Sequence, residues 1–507
     1  MEEPKILVKH SRIEINNYEI GDCPKLEYIF SVWDPVKHVS FPKGIEYDPD
    51  KKKLILPRGI DILYLENIFC ESAVIDKKCD EYVNTEQIPI KYLAKDERQI
   101  ELLKFLLGEG KYYYTKTKSQ LSCNSTTGSG KTFVTVASIC FSGSRACIIT
   151  NSLDWLNQWR DRILEYTPLK DSQIYTISGV GSINKILCRD PLQYTIFLIS
   201  HDTIKAYGDK NGWDAVTDLF KRLKCSTKIY DEAHLYFDNL CKIDFHTNMK
   251  KTIYLTATPE RSNQDENNIY QLYFKNIPSI SLFDEDTDPH VNYIAMHYNS
   301  HPKPSDISRC KNSYGFDRNS YTNYVVHQQN FKYLTIILVD LVFCNSGKAL
   351  IYVGTNSAIS IVYDYILSQF PFLNGNIGIY TSLVEKSQKQ QQLYNKIIIS
   401  TTKSCGAASD IADLRMIINL AEPFKSSVLA KQTLGRCRAD NTVYIDIIDQ
   451  GFFFTKNYYK KKKPIFSVYA KSCKDVLFTD EELEQRALNT INKFETKQVV
   501  CNRVFKK

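Results

Sequence analysis

The sequence lacks the features by which export and membrane insertion are recognised. Its start, MEEPKILVKHSRIE, is polar and acidic and has no apolar stretch of the kind that a secretory signal needs. It also has no apolar run of about 18 residues, the length that a membrane-spanning helix requires. We therefore expect a cytoplasmic protein with no membrane partner.

Paired cysteines are missing as well. The chain holds 15 cysteines, an odd number, and no two of them stand in a C-x-x-C arrangement. This pattern indicates reduced thiols and gives no ground to expect a zinc site. The net charge of +7 is compatible with a polyanionic partner, but proteins without such a partner also reach it.

The length of 507 residues and the hydrophobic content of 43% predict two or three domains with substantial cores. Near the start, FPKGIEYDPDKKKLILPRGI is typical of a strand, a charged turn and a second strand. The stretch DERQIELLKFLLGEG then predicts a helix, whose apolar face we place on Ile100, Leu103, Phe105 and Leu107.

Short apolar runs alternate with helical patterns from about residue 120, which predicts α/β units with parallel sheets. The runs are ACIIT (146–150), TIFLIS (195–200), KIY (228–230) and TIYLT (252–256), then ALIYV (349–353), NIGIY (376–380), KIIIS (396–400), RMIINL (415–420) and TVYIDII (442–448). A polar, irregular stretch separates the two groups. The predicted divisions are an accessory domain at 1–90, a first α/β domain at 91–284, a connector at 285–325, a second α/β domain at 326–450 and a basic tail at 451–507.

The run NSTTGSGKTF (124–133) has the composition of a phosphate-binding loop. Gly128 and Gly130 allow the backbone to turn its N–H groups inward, Lys131 neutralises phosphate charge, and Thr132 offers a hydroxyl to Mg²⁺. The helix expected to begin near Lys131 adds its positive end. Ser125 stands where the usual pattern has its first glycine, and a glycine-rich surface turn is the alternative.

The run KIYDEAH (228–234) places acidic residues directly after a short strand. Asp231 is a candidate to hold Mg²⁺ through water, and Glu232 to orient or deprotonate an attacking water. An acidic helix start is the alternative, although it requires neither His234 nor the strand in front. We expect Lys228 at the end of the sheet, with its stem packed and its amine in water.

Two further patterns follow. In YLTATPER (254–261), the hydroxyls of Thr256 and Thr258 could reach the Asp-Glu-Ala-His loop, or the pattern is an ordinary strand exit. In KQTLGRCRAD (431–440), Gln432, Arg436 and Arg438 end a helical segment. Guanidinium groups suit the charge that develops in phosphoryl transfer, although a surface helix end carries arginines just as readily.

In this order, each at a strand or helix end, the four patterns resemble those of superfamily 2 helicases of the DEAH-box translocase type. The resemblance covers roughly residues 90–470 and includes IITNSLDWLNQW, LISHDTI, IYVGTNSAI and STTKSCGAASDI, which look like strand-binding segments. It implies two tandem RecA-like parallel-sheet domains, with a small N-terminal α+β accessory domain and a basic C-terminal tail. LILPRGI and YYKKKKPIF, at the two ends of the core, are similar to the phage and large-virus group related to UvsW, XPB and the poxvirus transcript-release helicase.

The resemblance also implies a site for ATP and Mg²⁺, in which Gln99 corresponds to the family's adenine-reading glutamine. The residues expected to hold the nucleotide are Gln99, Thr127, Gly128, Ser129, Gly130, Lys131, Thr132 and Gln432, with Thr132 and Asp231 on the metal and His234, Thr256 and Thr258 in coupling. Arg436 or Arg438 would be the arginine finger. The family usually has its last arginine three places after the Gly-Arg arginine and this chain has it two places after, so the choice stays open.

The implied mechanism closes two domains around ATP and opens them after hydrolysis, so that a bound strand is drawn along through its phosphates. The basic run Lys460–Lys463, between Tyr458, Tyr459 and Phe466, is expected either to grip phosphate and stack bases or to form a solvated loop. We expect a helicase or translocase on single-stranded or branched DNA, with RNA also possible. The alternatives are a transcription-associated ATPase that displaces RNA or polymerase, and a binding module without catalysis, against which Lys131, Asp231 and Glu232 argue.

Overall fold

The computed structural model divides into two compact parts, residues 1–284 and residues 285–507, which we call the first and the second unit. The described residues are 3–34, 38–125, 130–256, 264–282, 291–312, 315–381, 383–405, 411–425, 427–434 and 441–504. Inside the helices, the description does not extend to the side chains of residues 386, 387, 390, 427, 428, 431, 432 and 495–504.

The first unit begins with a small five-stranded sheet. Its elements are β1 (Lys5–Val8), β2 (Arg12–Asn16), α1 (Pro24–Ile29), β3 (Ser31–Asp34), β4 (Val39–Pro42), β5 (Glu46–Asp48), β6 (Lys53–Pro57), α2 (Ile62–Phe69) and β7 (Val74–Ile75). The sheet order is β5-β6-β2-β1-β7, antiparallel except between β1 and β7, and β3 pairs separately with β4. The predicted strand, charged turn and strand correspond to β5 and β6.

A seven-stranded parallel sheet follows in the first unit, in the order β10-β11-β9-β12-β13-β8-β14. Its elements are α3 (Glu97–Leu107), β8 (Gln120–Ser125), α4 (Lys131–Phe141), β9 (Ala146–Thr150), α5 (Leu153–Tyr166), β10 (Ile174–Ile177), α6 (Val180–Leu187), β11 (Ile196–Ser200), α7 (His201–Asn211), α8 (Trp213–Leu223), β12 (Thr227–Tyr230), α9 (Phe237–Phe245), β13 (Lys251–Thr256), α10 (Gln264–Phe274) and β14 (Ser279–Leu282).

The four apolar runs predicted for this sheet are confirmed as β9, β11, β12 and β13. All residues of β9 and β11 are buried, as expected for strands covered by helices on both faces. The predicted apolar face of α3 was wrong except at Phe105. The buried positions are Gln99, Leu102, Phe105 and Leu106, whereas Ile100 is exposed, because the helix turns its Gln99 side inward.

The expectation for Lys228 was also wrong. Its side chain exposes no surface, and its Nζ lies 2.5 Å from Asp244 Oδ1 and 2.5 Å from Thr247 Oγ1. Burial lowers the pKa of Lys228, and the Asp244 carboxylate opposes that change. The amine therefore lies in the protein interior with a charged partner, not in water at the end of the sheet.

The small sheet packs against the large sheet of the first unit through one continuous hydrophobic core, which includes Ile13 and Leu56 on one side and Phe237 on the other. Gly59 allows a close backbone approach, since a Cβ at this position would lie 2.0 Å from the carbonyl oxygen of Tyr273. Residues 1–90 are therefore built into the first unit.

The second unit is built on another seven-stranded parallel sheet, in the order β19-β20-β18-β21-β22-β15-β23. Its elements are β15 (Val291–Tyr298), α11 (Pro304–Arg309), β16 (Lys311–Asn312), β17 (Gly315–Phe316), α12 (Arg318–Val325), α13 (Gln329–Cys344), β18 (Lys348–Val353), α14 (Asn356–Gln369), β19 (Ile377–Tyr380), α15 (Lys386–Gln392), β20 (Ile397–Ser400), α16 (Thr402–Cys405), β21 (Leu414–Ala421), α17 (Ser427–Leu434), β22 (Thr442–Asp449), α18 (Phe453–Tyr469), β23 (Ser472–Leu477) and α19 (Asp480–Val504).

Two segments expected outside the second α/β domain are part of its sheet. The predicted connector contains β15, which pairs with both β22 and β23, and the predicted tail contains β23 and two long helices. β23 closes one edge of the sheet, and α19 packs against α13. No helix in the described parts of either unit is long and apolar enough to cross a membrane.

Candidate nucleotide site

The predicted phosphate loop lies between a strand end and a helix start. β8 ends at Ser125 and α4 begins at Lys131. Thr127, Gly128 and Ser129 lie outside the described residues, so the structure leaves their predicted role untested. Lys131 is nearly buried, and its Nζ donates to the carbonyl oxygen of Ser125 at 2.6 Å, which holds the amine at the end of β8.

Gln99 lies against the last glycine of this loop. Gly130 has a φ of +85°, and a Cβ added there would lie 2.1 Å from Gln99 Nε2. Gln99 Oε1 accepts a hydrogen bond from the backbone N–H of Lys95 at 2.9 Å, and the side chain of Asp96 caps the helix by accepting from the Gln99 N–H. A larger residue at position 130 would displace the glutamine amide, so the structure brings together two residues that the sequence analysis assigned to the nucleotide.

Asp231 follows β12 directly, and its backbone N–H donates to the Ile149 carbonyl oxygen at 2.9 Å. Its Oδ2 accepts a hydrogen bond from the indole Nε1 of Trp159 at 2.8 Å. Burial raises the pKa of Asp231 to about 6, the neighbouring Glu232 carboxylate adds to the rise, and Trp159 and the Lys131 ammonium oppose it. The carboxylate therefore lies within electrostatic range of the Lys131 amine.

Glu232 has a backbone conformation that is unusual for a residue with a side chain. Its φ is +50°, in the left-handed region, and such strain concentrates at functional sites. The following N–H, of Ala233, donates to the Leu255 carbonyl oxygen at 2.9 Å and ties the loop to β13. The Glu232 carboxylate is thereby held beside Asp231 at the carboxyl edge of the sheet.

His234 contacts a threonine hydroxyl at the end of β13. The sequence had predicted such a contact between the Asp-Glu-Ala-His loop and Thr256 or Thr258. Its Nδ1 lies 2.8 Å from Thr256 Oγ1 and 3.3 Å from Glu232 Oε2. His234 and Thr256 are both buried. Thr258 lies outside the described residues, so only one of the two predicted hydroxyls can be placed.

Two aromatic partners of the acidic loop were missed by the sequence analysis. One is Trp159, and the other is His201, the first residue of α7. The His201 ring stacks on Tyr236 at 5.3 Å and on Tyr230 at 5.7 Å between ring centroids. Trp159 lies in LDWLNQW and His201 in LISHDTI, two segments quoted above. An aromatic residue in an apolar pattern is normally a core residue, so neither sequence indicated a contact with the acidic loop.

Asn151 stands at the end of β9, in the segment that resembles the first strand-binding motif. Both polar atoms of its side-chain amide are buried and have no hydrogen-bond partner among the described residues. Buried amides are normally paired, so the unpaired Asn151 amide marks a position where a ligand could supply the partners.

In the second unit, the two segments expected to grip a strand lie at the ends of neighbouring strands. β18 ends at Val353, and Thr355 then caps α14 by accepting from the Ala358 N–H at 3.2 Å. β20 ends at Ser400, and the next turn is held by Glu422, whose Oε2 accepts from the Thr402 N–H at 2.7 Å.

The predicted arginine site cannot be placed. Gln432 lies on α17, but its side chain is outside the described part of the chain, as are Arg436 and Arg438 altogether. The choice between the two arginines therefore stays a prediction.

The basic run lies within α18, so the alternative of a solvated loop was wrong. Lys462 is buried, with its Nζ 2.6 Å from Asp446 Oδ2, and Lys463 pairs with Asp475 at 2.8 Å. Phe466 is fully buried and stacks on Tyr293. Lys460, Lys461 and Lys463 are exposed, so Lys462 alone of the four lysines belongs to the core, and a phosphate contact of the other three stays a prediction.

Parts of this chain are similar to known proteins. A family model described as "Type III restriction enzyme, res subunit" matches residues 92–261. The putative DNA 3'-5' helicase Rad25 of Haloarcula marismortui is 26% identical over 185 residues, which is 36% of this chain and 27% of that protein. The chain thus spans only about a quarter of the length of the curated relative that it matches.

Among solved structures, S. cerevisiae Dbp5 bound to RNA and ADP BeF3 has a TM-score of 0.52 at 16% identity, covering 79% of this chain and 95% of that chain. This likeness concerns the fold. T4 UvsW covers 94% of this chain at 13% identity with a TM-score of 0.37, and nothing is argued from it.

Fold and site together define a class of protein. The chain has the tandem, RecA-like parallel-sheet fold of ATP-dependent helicases. The family model matches residues 92–261 and the helicase relative 36% of this chain, so both likenesses concern part of the chain.

Proposed function

We propose that this protein is an ATP-dependent nucleic-acid helicase or translocase that acts on DNA in replication, recombination or repair. The observation that carries the proposal is the grouping at the carboxyl edge of the first large sheet. The Gln99 amide lies against Gly130, and the Lys131 amine lies within electrostatic range of the carboxylate of Asp231. In parallel sheets this edge is where ligands bind.

The residues present fit ATP and Mg²⁺. Gln99 is proposed to contact the adenine, and the loop ending in Gly130, Lys131 and Thr132 the phosphates. Thr132 and Asp231 are proposed to hold Mg²⁺, which when bound would neutralise phosphate charge during hydrolysis. The strained loop at Glu232 presents a second carboxylate to orient and deprotonate a water.

His234 and Thr256 are proposed to couple the site to the rest of the chain. The hydrogen bond between them joins the acidic loop to the end of β13, so a movement of the loop would displace the end of the strand. Arg436 and Arg438 are proposed to supply positive charge from the second unit, on the strength of the family resemblance.

Nucleic acid is proposed to bind through the segments after β9, β11, β18 and β20. The buried amide of Asn151, which has no hydrogen-bond partner in the part of the chain that the structure describes, supports this for the first segment. DNA is favoured because the matched relative is named a DNA helicase. A transcription-associated ATPase that displaces RNA or polymerase is the second candidate, and membership of the phage and large-virus group is part of the proposal.

The test is the rate of ATP hydrolysis by the full chain with single-stranded DNA, duplex DNA, forked DNA and RNA. We expect stimulation by DNA, strongest with single-stranded or forked substrates. Lys131→Ala should abolish stimulated hydrolysis while leaving the fold intact, and the exposed Lys118→Ala serves as the matched control. Stimulation by RNA alone would favour the second candidate, and near wild-type turnover in folded Lys131→Ala would refute the phosphate loop.

A further inference from the structure

Trp159 makes a contact that packing alone does not explain. Its side chain belongs to the hydrophobic core formed with Leu156 and Ile163 along one face of α5. The indole Nε1 nevertheless points out of that core and donates to Asp231 Oδ2 at 2.8 Å. The tryptophan ring can fill the core whether or not its N–H donates a hydrogen bond. A substitution can therefore remove the hydrogen bond and keep most of the packing.

The hydrogen bond restrains a carboxylate that has competing neighbours. The Lys131 ammonium attracts Asp231, and the Glu232 carboxylate repels it. Because Trp159 holds Oδ2, the second oxygen keeps a defined direction.

We propose that Trp159 is a positioning residue, which orients the Asp231 carboxylate so that one oxygen stays available to a divalent cation. The inference rests on the proposed function, in which Asp231 holds Mg²⁺. Groups that bond to a metal ligand from behind fix its orientation, and their loss typically lowers metal affinity by about 10- to 100-fold. The sequence separation of 72 residues explains why no local pattern reveals the pair.

The experiment compares Trp159→Phe with Trp213→Phe, the same substitution at a half-buried tryptophan of α8 that lies outside the proposed binding segments. Binding of Mn²⁺ is measured by electron paramagnetic resonance in the presence of a non-hydrolysable ATP analogue. Hydrolysis is measured separately against Mg²⁺ concentration at saturating ATP. We expect the Mn²⁺ dissociation constant and the half-saturating Mg²⁺ concentration of Trp159→Phe to rise about 10-fold. The hydrolysis rate at saturating Mg²⁺ should fall much less, and Trp213→Phe should behave as wild type.

Unchanged metal affinity in folded Trp159→Phe would overturn the inference and leave Trp159 a packing residue. A loss of turnover at every Mg²⁺ concentration, with unchanged Mn²⁺ binding, would also overturn it. If Trp159→Phe does not fold, Trp159→Met fills the space without a donor and is judged by the same criteria. Absence of Mg²⁺-dependent hydrolysis in the wild-type chain would instead refute the proposed function and, with it, the inference.

Discussion

Lys228 and Asp244 form an ion pair in the interior of the first unit, 2.5 Å apart, with no surface of either side chain exposed. The Asp244 carboxylate also accepts hydrogen bonds from the hydroxyls of Tyr230 at 2.8 Å, Tyr254 at 2.5 Å and Tyr273 at 2.5 Å. Three of these side chains lie on β12 and β13, the strands that carry the acidic loop and Thr256. One buried carboxylate thus joins both strands to α9 and α10.

Asp244→Asn should destabilise the first unit strongly. The change keeps the shape of the side chain but leaves the Lys228 charge buried without its counter-charge, which typically costs about 3–5 kcal/mol. Urea unfolding of the full chain measures the loss. Removing both charges, with Lys228→Met and Asp244→Asn together, keeps an acceptor for the tyrosine hydroxyls and should cost less than the single change.

The exposed pair Lys463 and Asp475 provides the control. Both side chains are more than two-fifths exposed, so Lys463→Met should change the free energy of unfolding by less than about 1 kcal/mol. An equally small effect of Asp244→Asn would show that Lys228 is neutral in the folded chain.

Glu232→Gln should separate ATP binding from hydrolysis. The amide keeps the size of the side chain but cannot accept the proton of the attacking water, and general bases contribute about 10²- to 10⁴-fold to such rates. Single-turnover hydrolysis and equilibrium ATP binding give the two quantities, with the exposed Glu109→Gln as the control. A collapse of ATP affinity in Glu232→Gln would mean that Glu232 has a different role.

Thr256→Val should uncouple hydrolysis from movement along nucleic acid. Valine has the shape of threonine but cannot bond to His234 Nδ1, which lies 2.8 Å from the hydroxyl. We expect basal hydrolysis within a few-fold of wild type and a much lower rate of strand displacement. Thr252→Val, at the other end of β13, is the control, and equal loss of hydrolysis and displacement would argue against a coupling role.

Arg436→Ala and Arg438→Ala should differ in single-turnover hydrolysis. An arginine finger contributes roughly 10³-fold or more to turnover, and ATP affinity should change less than the rate. We expect the larger defect in Arg438→Ala, because the last arginine of the family pattern usually has this role. The reverse order would assign the finger to Arg436, and no defect in either would remove both from the site.

Glu14 should make the stability of the small sheet pH-dependent. Burial alone would raise its pKa, but Arg12 and Lys53 outweigh burial and lower the pKa to about 2. The carboxylate therefore stabilises the fold fully above about pH 4.5, and this contribution is lost as the pH falls toward 2. At neutral pH, Glu14→Gln should lower the free energy of unfolding by about 3 kcal/mol.

The difference between wild type and Glu14→Gln should shrink progressively as acid unfolding is followed from pH 5 to about pH 2. Glu19→Gln, at an exposed ion pair with Lys52, should show no measurable pH-dependent difference. A difference for Glu14→Gln that is independent of pH would assign its effect to packing.

The amino-acid sequence alone located nine of the fourteen strands of the two large sheets to within about one residue, and it gave no prediction for β8, β10, β14, β15 and β23. ACIIT was predicted at 146–150 and β9 is Ala146–Thr150, because a strand buried on both faces must be continuously apolar. It also located the acidic loop and the lysine at the carboxyl ends of strands, where chemistry in parallel sheets occurs. Short runs of glycine and lysine, or of acidic residues after a strand, are enough to predict these positions.

Only the tertiary structure decided which distant residues meet. Trp159 and Asp231 are 72 residues apart, and β15 pairs with β22 about 150 residues later in the chain. The strand VNYIAMHY mixes polar and apolar residues and follows a polar stretch. Its position in the second sheet could therefore not be predicted from a local pattern. The sequence indicates solvated amines for Lys228 and Lys462, yet carboxylates on other elements pair with them in the interior, and such partners are known only once the chain has folded.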